Sequence, residues 1–199
     1  MSIQILKMTF YPANAPVPAE LHMADFSLIP LTPAHVALDY TAVTASREML
    51  RQWSGSSWPS DDFSLDDNLQ DLQWHDREHR ERLAFTYTVL NPAQDECLGC
   101  VYIRPLSEIL PAAPDYHAIV RFWVSQPQRE GPLERQLLDA LCTWFYSNAW
   151  AFERILFHTR VSSQWQIHLF MAAGYQAVNT HYLPERGGYH TFFERLPDN

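Results

Sequence analysis

Tyr116-His-Ala-Ile-Val-Arg-Phe-Trp-Val124, then Gln128-Arg-Glu-Gly131, then a segment carrying Leu133, Leu137, Leu138, Leu141, Cys142 and Phe145, is the stretch that decides the fold. Its first part is rich in β-branched and aromatic residues and reads as a strand. Its last part repeats apolar residues at helical spacing and predicts a helix over 131–147. Between them lies a Gly-containing turn. A second strand, Arg154 to Arg160, precedes another helix that ends at Gly174-Tyr175. A Gly-bearing turn that opens a helix just after a strand exposes backbone N–H groups, and the helix dipole adds partial positive charge there. Such a place is a seat for phosphate or pyrophosphate.

Working outward, Phe26 to Leu31 reads as a strand, and Thr32-Pro33 starts a helix that runs to about Trp53. Ser54 to Ser60 is a loop. Ser64 and Asp67 form a capping-box pattern for a helix to about Leu83. Ala84–Leu90 and Cys97–Ile103, separated by Asn91-Pro92, predict an antiparallel pair. Downstream, Tyr175–Tyr182 and Tyr189–Leu196 flank a turn with Gly187 and Gly188, which predicts a hairpin. A Pro-interrupted extension over 1–24 would precede a single domain over 25–199.

The bulk numbers narrow the function. At 199 residues and 47% hydrophobic content the chain can bury one substantial core. Fourteen basic against 23 acidic residues give a net charge of −9, the wrong balance for a nucleic-acid surface. Three Cys make no disulfide framework and no stretch reaches the length of a membrane span, so the expectation is a cytoplasmic protein without nucleic-acid or membrane partners.

The order strand, two helices, three strands, helix, strand, helix, two strands resembles the GNAT superfamily of acetyl-CoA-dependent N-acetyltransferases over roughly residues 26–196, most sharply over 118–175. The resemblance implies an α/β (α+β) fold with a mixed, splayed central sheet flanked by helices, and acetyl-CoA as cosubstrate in the opening. The family's phosphate loop, Gln/Arg-x-x-Gly-x-Gly/Ala, stands here as Gln128-Arg129-Glu130-Gly131-Pro132-Leu133. Leu133 departs from the pattern, and Pro132 removes one N–H donor. Ser163 stands where the family often has Asn, Phe170 where it often has the Tyr acid, and Ile119 where a carboxylate is frequent. The implied cofactor-binding residues are Phe122, Trp123, Val124, Gln128, Arg129, Gly131, Leu133 and Ser163. Main-chain N–H groups near Phe122 to Val124 would face the thioester carbonyl.

An attacking amine must be neutral, and the candidate catalytic bases are His117, Asp115 and His158. Trp53, Trp58 and Trp74 lie in or beside the two helices that would frame the acceptor. An acidic cluster there, Asp61, Asp62, Asp66, Asp67 and Asp71, suits a cationic acceptor or merely a helix start. The expected activity is direct acetyl transfer to an amine of a small molecule or peptide. The alternative is a catalytically degenerate protein of this type that binds a ligand or partner.

Two motifs point elsewhere. His75-Asp-Arg-Glu-His79 has the spacing of a zinc hydrolase, but its helix is charged on every side, and the expectation is no metal. Cys97-Leu-Gly-Cys100 has CxxC spacing, yet residues three apart on a regular strand point to opposite faces. An exposed edge at Tyr189–Leu196 would be the place for a homodimer.

Overall fold

The computed structural model describes residues 10–111, 113–114, 117–129, 131–147 and 149–195. Eight extended segments, Leu21–His22 (β1), Ser27–Pro30 (β2), Phe85–Leu90 (β3), Cys97–Pro105 (β4), His117–Val124 (β5), Arg154–Arg160 (β6), Tyr175–Leu183 (β7) and Gly188–Arg195 (β8), join in one sheet of order β1-β2-β3-β4-β5-β6-β8-β7. Every neighbouring pair is antiparallel except β5 with β6. That parallel ladder is short, running from His117↔Arg154 to Val120↔Phe157. Beyond it β5 stays with β4 as far as Val124↔Gly99, while β6 turns away to pair with β8. The sheet is therefore mixed and splayed, as expected.

Helices Val36–Ala45 (α1), Arg47–Ser54 (α2) and Leu65–Arg80 (α3) cover one face, where Leu50, Trp53, Leu72 and Trp123 are buried together. Leu133–Tyr146 (α4) and Gln164–Ala172 (α5) cover the other, where Leu137, Leu138 and Leu141 of α4 and Phe170 of α5 meet Phe122 and Phe157 of the sheet. Phe10 and Tyr11, from the segment read as an extension, are buried in this second core against Phe85 and Phe152. Two such aromatic side chains contribute ~1.5–3 kcal/mol each by burial.

The expected helix from Thr32 to Trp53 is broken at Ser46, whose backbone leaves the helical basin (φ −111°, ψ 14°). Its hydroxyl accepts the Gln126 N–H at 2.9 Å, just past the end of β5, so the break ties this helical layer to the turn. The capping box at the start of α3 forms as read: Ser64 N–H donates to Asp67 at 2.9 Å, and Asp67 N–H donates back to the Ser64 hydroxyl at 3.2 Å. The terminal hairpin also forms, but β8 lies inside the sheet between β6 and β7. The exposed edge is thus β7, not Tyr189–Leu196. The two cysteines depart from strand alternation as well. Leu90 pairs with Cys97 and Val89 with Gly99, so Leu98 is an extra residue, and this bulge brings both thiols to the Asp39 side of the sheet.

One backbone contact shapes the region beside the splay. Gly55 ends α2 at φ +74°, and Gly187 turns the β7–β8 hairpin at φ +71°. A Cβ on Gly55 would meet the Arg186 carbonyl oxygen at 2.6 Å, and one on Gly187 would meet the Gly55 carbonyl oxygen at 2.3 Å. Arg160 holds the same junction by donating to the Gln52 and Gly187 carbonyls. Gly55→Ala is expected to destabilise the fold by ~1–2 kcal/mol from the left-handed conformation, with the contact adding to that. Gly131→Ala is expected to leave stability nearly unchanged, because a Cβ there meets only the Gln128 oxygen at 3.4 Å. Urea unfolding of the two variants checks the contrast.

Candidate functional site

The parting of β5 from β6 leaves main-chain polar groups without a strand partner. Ser125 N–H donates to the Leu98 carbonyl across the β4–β5 ladder. Alternation along an antiparallel strand then turns Phe122 and Val124 the other way, toward β6. The Phe122 carbonyl is met by two side chains, Trp53 Nε1 from α2 at 2.9 Å and Gln166 Nε2 from α5 at 3.3 Å. Gln166 in turn accepts from the Thr159 hydroxyl of β6, so it bridges the open fork. The N–H groups of Phe122 and Val124 face the same opening.

Two cavities meet at Trp53. The smaller, about 230 Å³, is lined by Gln52, Trp53, Arg129, Arg160, Ser163 and Trp165 among others. Arg129 lines it with its guanidinium 4.2 Å from the centre of the Trp165 ring. This brings together two residues singled out from the sequence, Arg129 and Ser163. The larger cavity, about 310 Å³, has Trp53, Trp58, Trp74 and Tyr102 as its flat walls, with Asp71, His75, Arg104, Arg121, His158 and Arg186 as charged or polar groups.

The other cofactor candidates act differently from their sequence reading. Phe122 and Val124 bury their side chains in the α4–α5 core and Trp123 points to the opposite core, so only their main chain can face a ligand in the fork. Leu133 is also buried in the α4–α5 core, so its side chain does not stand over the turn. The turn itself is internally bonded: Gln128 N–H donates to Ser125, Arg129 N–H to Gln126 and Gly131 N–H to Gln128. Those three donors are thus less available than the motif suggests. What remains is the first turn of α4, which follows Pro132 and has no side-chain cap. Burial pushes the carboxyl of Glu134 in that turn up to about 7, with Arg129 opposing.

Of the three base candidates, Asp115 lies outside the described residues. His117 begins β5 at the closed end of the fork, 3.9 Å from Glu153, four residues or about 13 Å along the strand from Arg121. It lines neither cavity. His158 does line the larger one, and its neighbours set its tautomer. The Arg186 carbonyl can only accept, so His190 Nε2, 3.1 Å away, carries a proton. His190 Nδ1 is then an acceptor, and His158 Nδ1, 3.3 Å from it, must donate. His158 Nε2 is left as a bare lone pair, buried and without a partner among the described residues. Burial, and next the positive charge of Arg121, hold this imidazole well below its ordinary pKa, so it is neutral at neutral pH.

The acidic cluster divides. Asp61 pairs with Arg51 at 2.7 Å, Asp67 caps α3, and of the five only Asp71 reaches the larger cavity, where burial raises its carboxyl. In the His75–His79 motif, Arg104 grips both oxygens of Glu78 at 3.0 Å. Burial works against that charge, but His75 and Arg104 hold the carboxyl at about 2. His79 packs its ring on Phe85 and Tyr87, while His75 turns to Tyr102, so the two imidazoles serve different surroundings. Sequence reading missed Arg121, Arg186, His190 and Gln166. An Arg in the middle of an otherwise apolar strand was the available signal for the first.

The model of the Acetyltransferase (GNAT) family matches residues 47–175. Among solved structures, the chain is similar to the ribosomal L7/L12 α-N-protein acetyltransferase RimL in complex with coenzyme A, at 17% identity and TM-score 0.69, over 90% of this chain and 97% of that one. It is similar to the ribosomal-protein-S5-alanine acetyltransferase of Vibrio fischeri at 13% identity and TM-score 0.72, over 92% and 98%. The microcin C7 self-immunity acetyltransferase MccE, in complex with acetyl-CoA and AMP, shares 8% identity at TM-score 0.71, over 87% and 93%. No curated protein sequence matches the chain.

The paired imidazoles carry a stability signature. Burial first, and the nearby Arg charges next, lower His190 to about 4, while an unfolded His titrates near its ordinary value of 6.5. The unfolded state therefore takes up protons first, and stability falls as pH drops from about 6.5 toward 4, with a slope approaching ~1.4 kcal/mol per pH unit per imidazole. Urea unfolding across this window is expected to show that decline, with a shallower slope in His190→Gln. His35 and His79, also lowered by burial, will leave a residual slope.

Proposed function

The chain belongs to the Acetyltransferase (GNAT) family, and from that premise we propose that it transfers an acetyl group from acetyl-CoA directly to an amine of a small molecule or peptide. The observation that carries this reading is the meeting of two cavities at Trp53, beside the point where β5 leaves β6. One is lined by Arg129 and Ser163, the residues assigned to the phosphate side; the other is lined by His158, whose unpaired Nε2 lies buried in the wall. Bound acetyl-CoA supplies an activated acyl group in a thioester.

The protein's own residues do the rest. Arg129 and the uncapped first turn of α4 supply positive charge for the phosphates, and Ser163 offers a hydroxyl on the same side. Main-chain N–H groups of Phe122 and Val124 are aimed into the fork, where they can donate to a carbonyl oxygen that gains charge. Trp53 and Gln166 hold the Phe122 peptide and so fix the direction of its neighbours. His158 Nε2 accepts the amine proton. Its low basicity suits an acceptor that arrives neutral or loses its proton as the new bond forms. Trp53, Trp58 and Trp74 give the cavity they line a flat apolar wall.

A second reading, a ligand-binding protein of this family without turnover, has one observation in its favour: the loop N–H groups spent on internal turns. Calorimetric titration with acetyl-CoA and CoA, together with release of free CoA thiol over an amine panel, separates the two. The expected result is binding in both titrations. Arg129→Ala should weaken it by ~1.5–3 kcal/mol, the scale of a charged hydrogen bond. Gly131→Ala should weaken binding without loss of stability. His158→Gln should lower transfer by roughly 10²–10⁴-fold while binding of CoA stays intact. No binding at millimolar ligand would defeat the transferase reading, and binding without turnover would favour the second.

A further inference from the structure

Three guanidinium groups stand on the larger cavity, and they are not equally balanced. Arg104 is held by Glu78 at 3.0 Å and Glu108 at 2.7 Å. Arg186 shares Glu108 at 3.5 Å. Among the described residues, no carboxylate pairs with Arg121. It is 8% exposed, lies 3.8 Å over the Trp53 ring, donates to the Trp53 carbonyl, and its Nε is buried with no hydrogen-bond partner among the described residues. A buried cation without a counter-charge is among the costlier features a fold can carry, and so is a buried N–H donor left unmet. Burial and the neighbouring Arg186 drive its pKa down to about 9, the mark of a positive charge that lacks compensation.

Position sharpens the meaning. Arg121 and His158 are the next residues after the last paired positions of β5 and β6, Val120 and Phe157. The unmet cation therefore sits on the strand position next to His158 and acts on its imidazole electrostatically. An amine brought to His158 in that cavity has the charge of Arg121 close by, since both residues line it. The remaining walls are the flat faces of Trp53, Trp58, Trp74 and Tyr102.

We propose that the acceptor is a compact amine that carries an anionic group, carboxylate or phosphonate-like, within a few bonds of its nitrogen, read by Arg121 with Arg186 beside it, and an apolar or aromatic remainder against the Trp walls. The inference rests on the acceptor site of the proposed transferase and selects within its substrate class. It favours a free amino acid or its phosphonate analogue over the N-terminus of a protein, whose first carboxyl is already an uncharged peptide bond.

A matched trio tests this: phenylalanine, its phosphonate analogue 1-amino-2-phenylethylphosphonic acid, and phenylalaninamide. Each is titrated calorimetrically into the free protein and then assayed for transfer with acetyl-CoA. At least one anionic member should bind 10-fold or more tightly than the amide and lead it in kcat/KM by a similar factor. Which of the two leads distinguishes carboxylate from phosphonate recognition. Arg121→Gln should erase the preference, and Arg121→Lys should keep part of it. If Arg121→Gln fails to fold, Arg121→Lys together with Arg186→Gln, which should cut the preference several-fold, decides the matter. Equal affinity for acid and amide, no binding of either anion at millimolar concentration, or a preference untouched by these variants overturns the proposal. CoA binding is measured in the same preparations. CoA binding without anion preference sinks only this inference, whereas anion preference without CoA binding or turnover sinks the transferase reading and leaves the anion site standing.

Discussion

The end of the β5–β6 ladder after Val120 is the constraint on which the rest of the molecule depends. Two parallel strands in the middle of a sheet normally satisfy each other's peptide groups. Where they part, every inward-facing N–H and C=O must find another partner or lose ~1–3 kcal/mol. The Phe122 carbonyl is rescued from both sides of the sheet, by Trp53 and by Gln166. The N–H groups of Phe122 and Val124 turn to the same opening with no strand beyond them. A fold that merely needed stability would have continued the ladder. Keeping a fork open, and propping it with an indole and an amide, is consistent with a ligand that completes the hydrogen bonding.

The surrounding architecture holds that fork at a fixed width. The left-handed Gly55 and Gly187 let the end of α2 and the β7–β8 turn touch backbone to backbone, and Arg160 stitches the contact through two carbonyls. The same turn delivers the Arg186 carbonyl to His190, which orients His158. One junction thus sets the position of Trp53 and the tautomer of His158 together. Charge is arranged with similar economy: Glu78 and Glu108 neutralise Arg104 and part of Arg186, so the positive charge left over is concentrated at Arg121.

Much of this was legible from residue order. The switch from strand to helix period around Gly131, the antiparallel pair after Leu83, the capping box at Ser64 and the terminal hairpin all follow from local rules and stand in the structure. Features set by distant partners were not legible. Ser46 breaks a helix because Gln126, eighty positions away in sequence, needs an acceptor. The bulge at Leu98 turns Cys97 and Cys100 to one side, which no alternation rule foresees. Insertion of β8 between β6 and β7 moves the exposed edge to β7. Among the site residues, His158 was named from its strand, but the partners that give it a bare nitrogen come from β8 and the hairpin turn, far along the chain.

The phosphate loop shows why a motif read as letters misjudges a departure. Leu133 looked like an obstruction because the family pattern has a small residue there. Its side chain is in the core beside Leu137, where helical periodicity would place it, and the ligand side of that position is its backbone. Pro132 removes an N–H but starts the helix without strain, at a position where that N–H has no intrahelical partner anyway. The effective loss lies elsewhere, in the N–H groups of Gln128, Arg129 and Gly131 that close turns on themselves. Charge from Arg129, stacked on Trp165 and lining the smaller cavity, is the feature that would offset it under the proposed function. Under that function, recognition of phosphate would shift from backbone donors toward one side chain and the dipole of α4, a change of means that preserves the chemistry of the site.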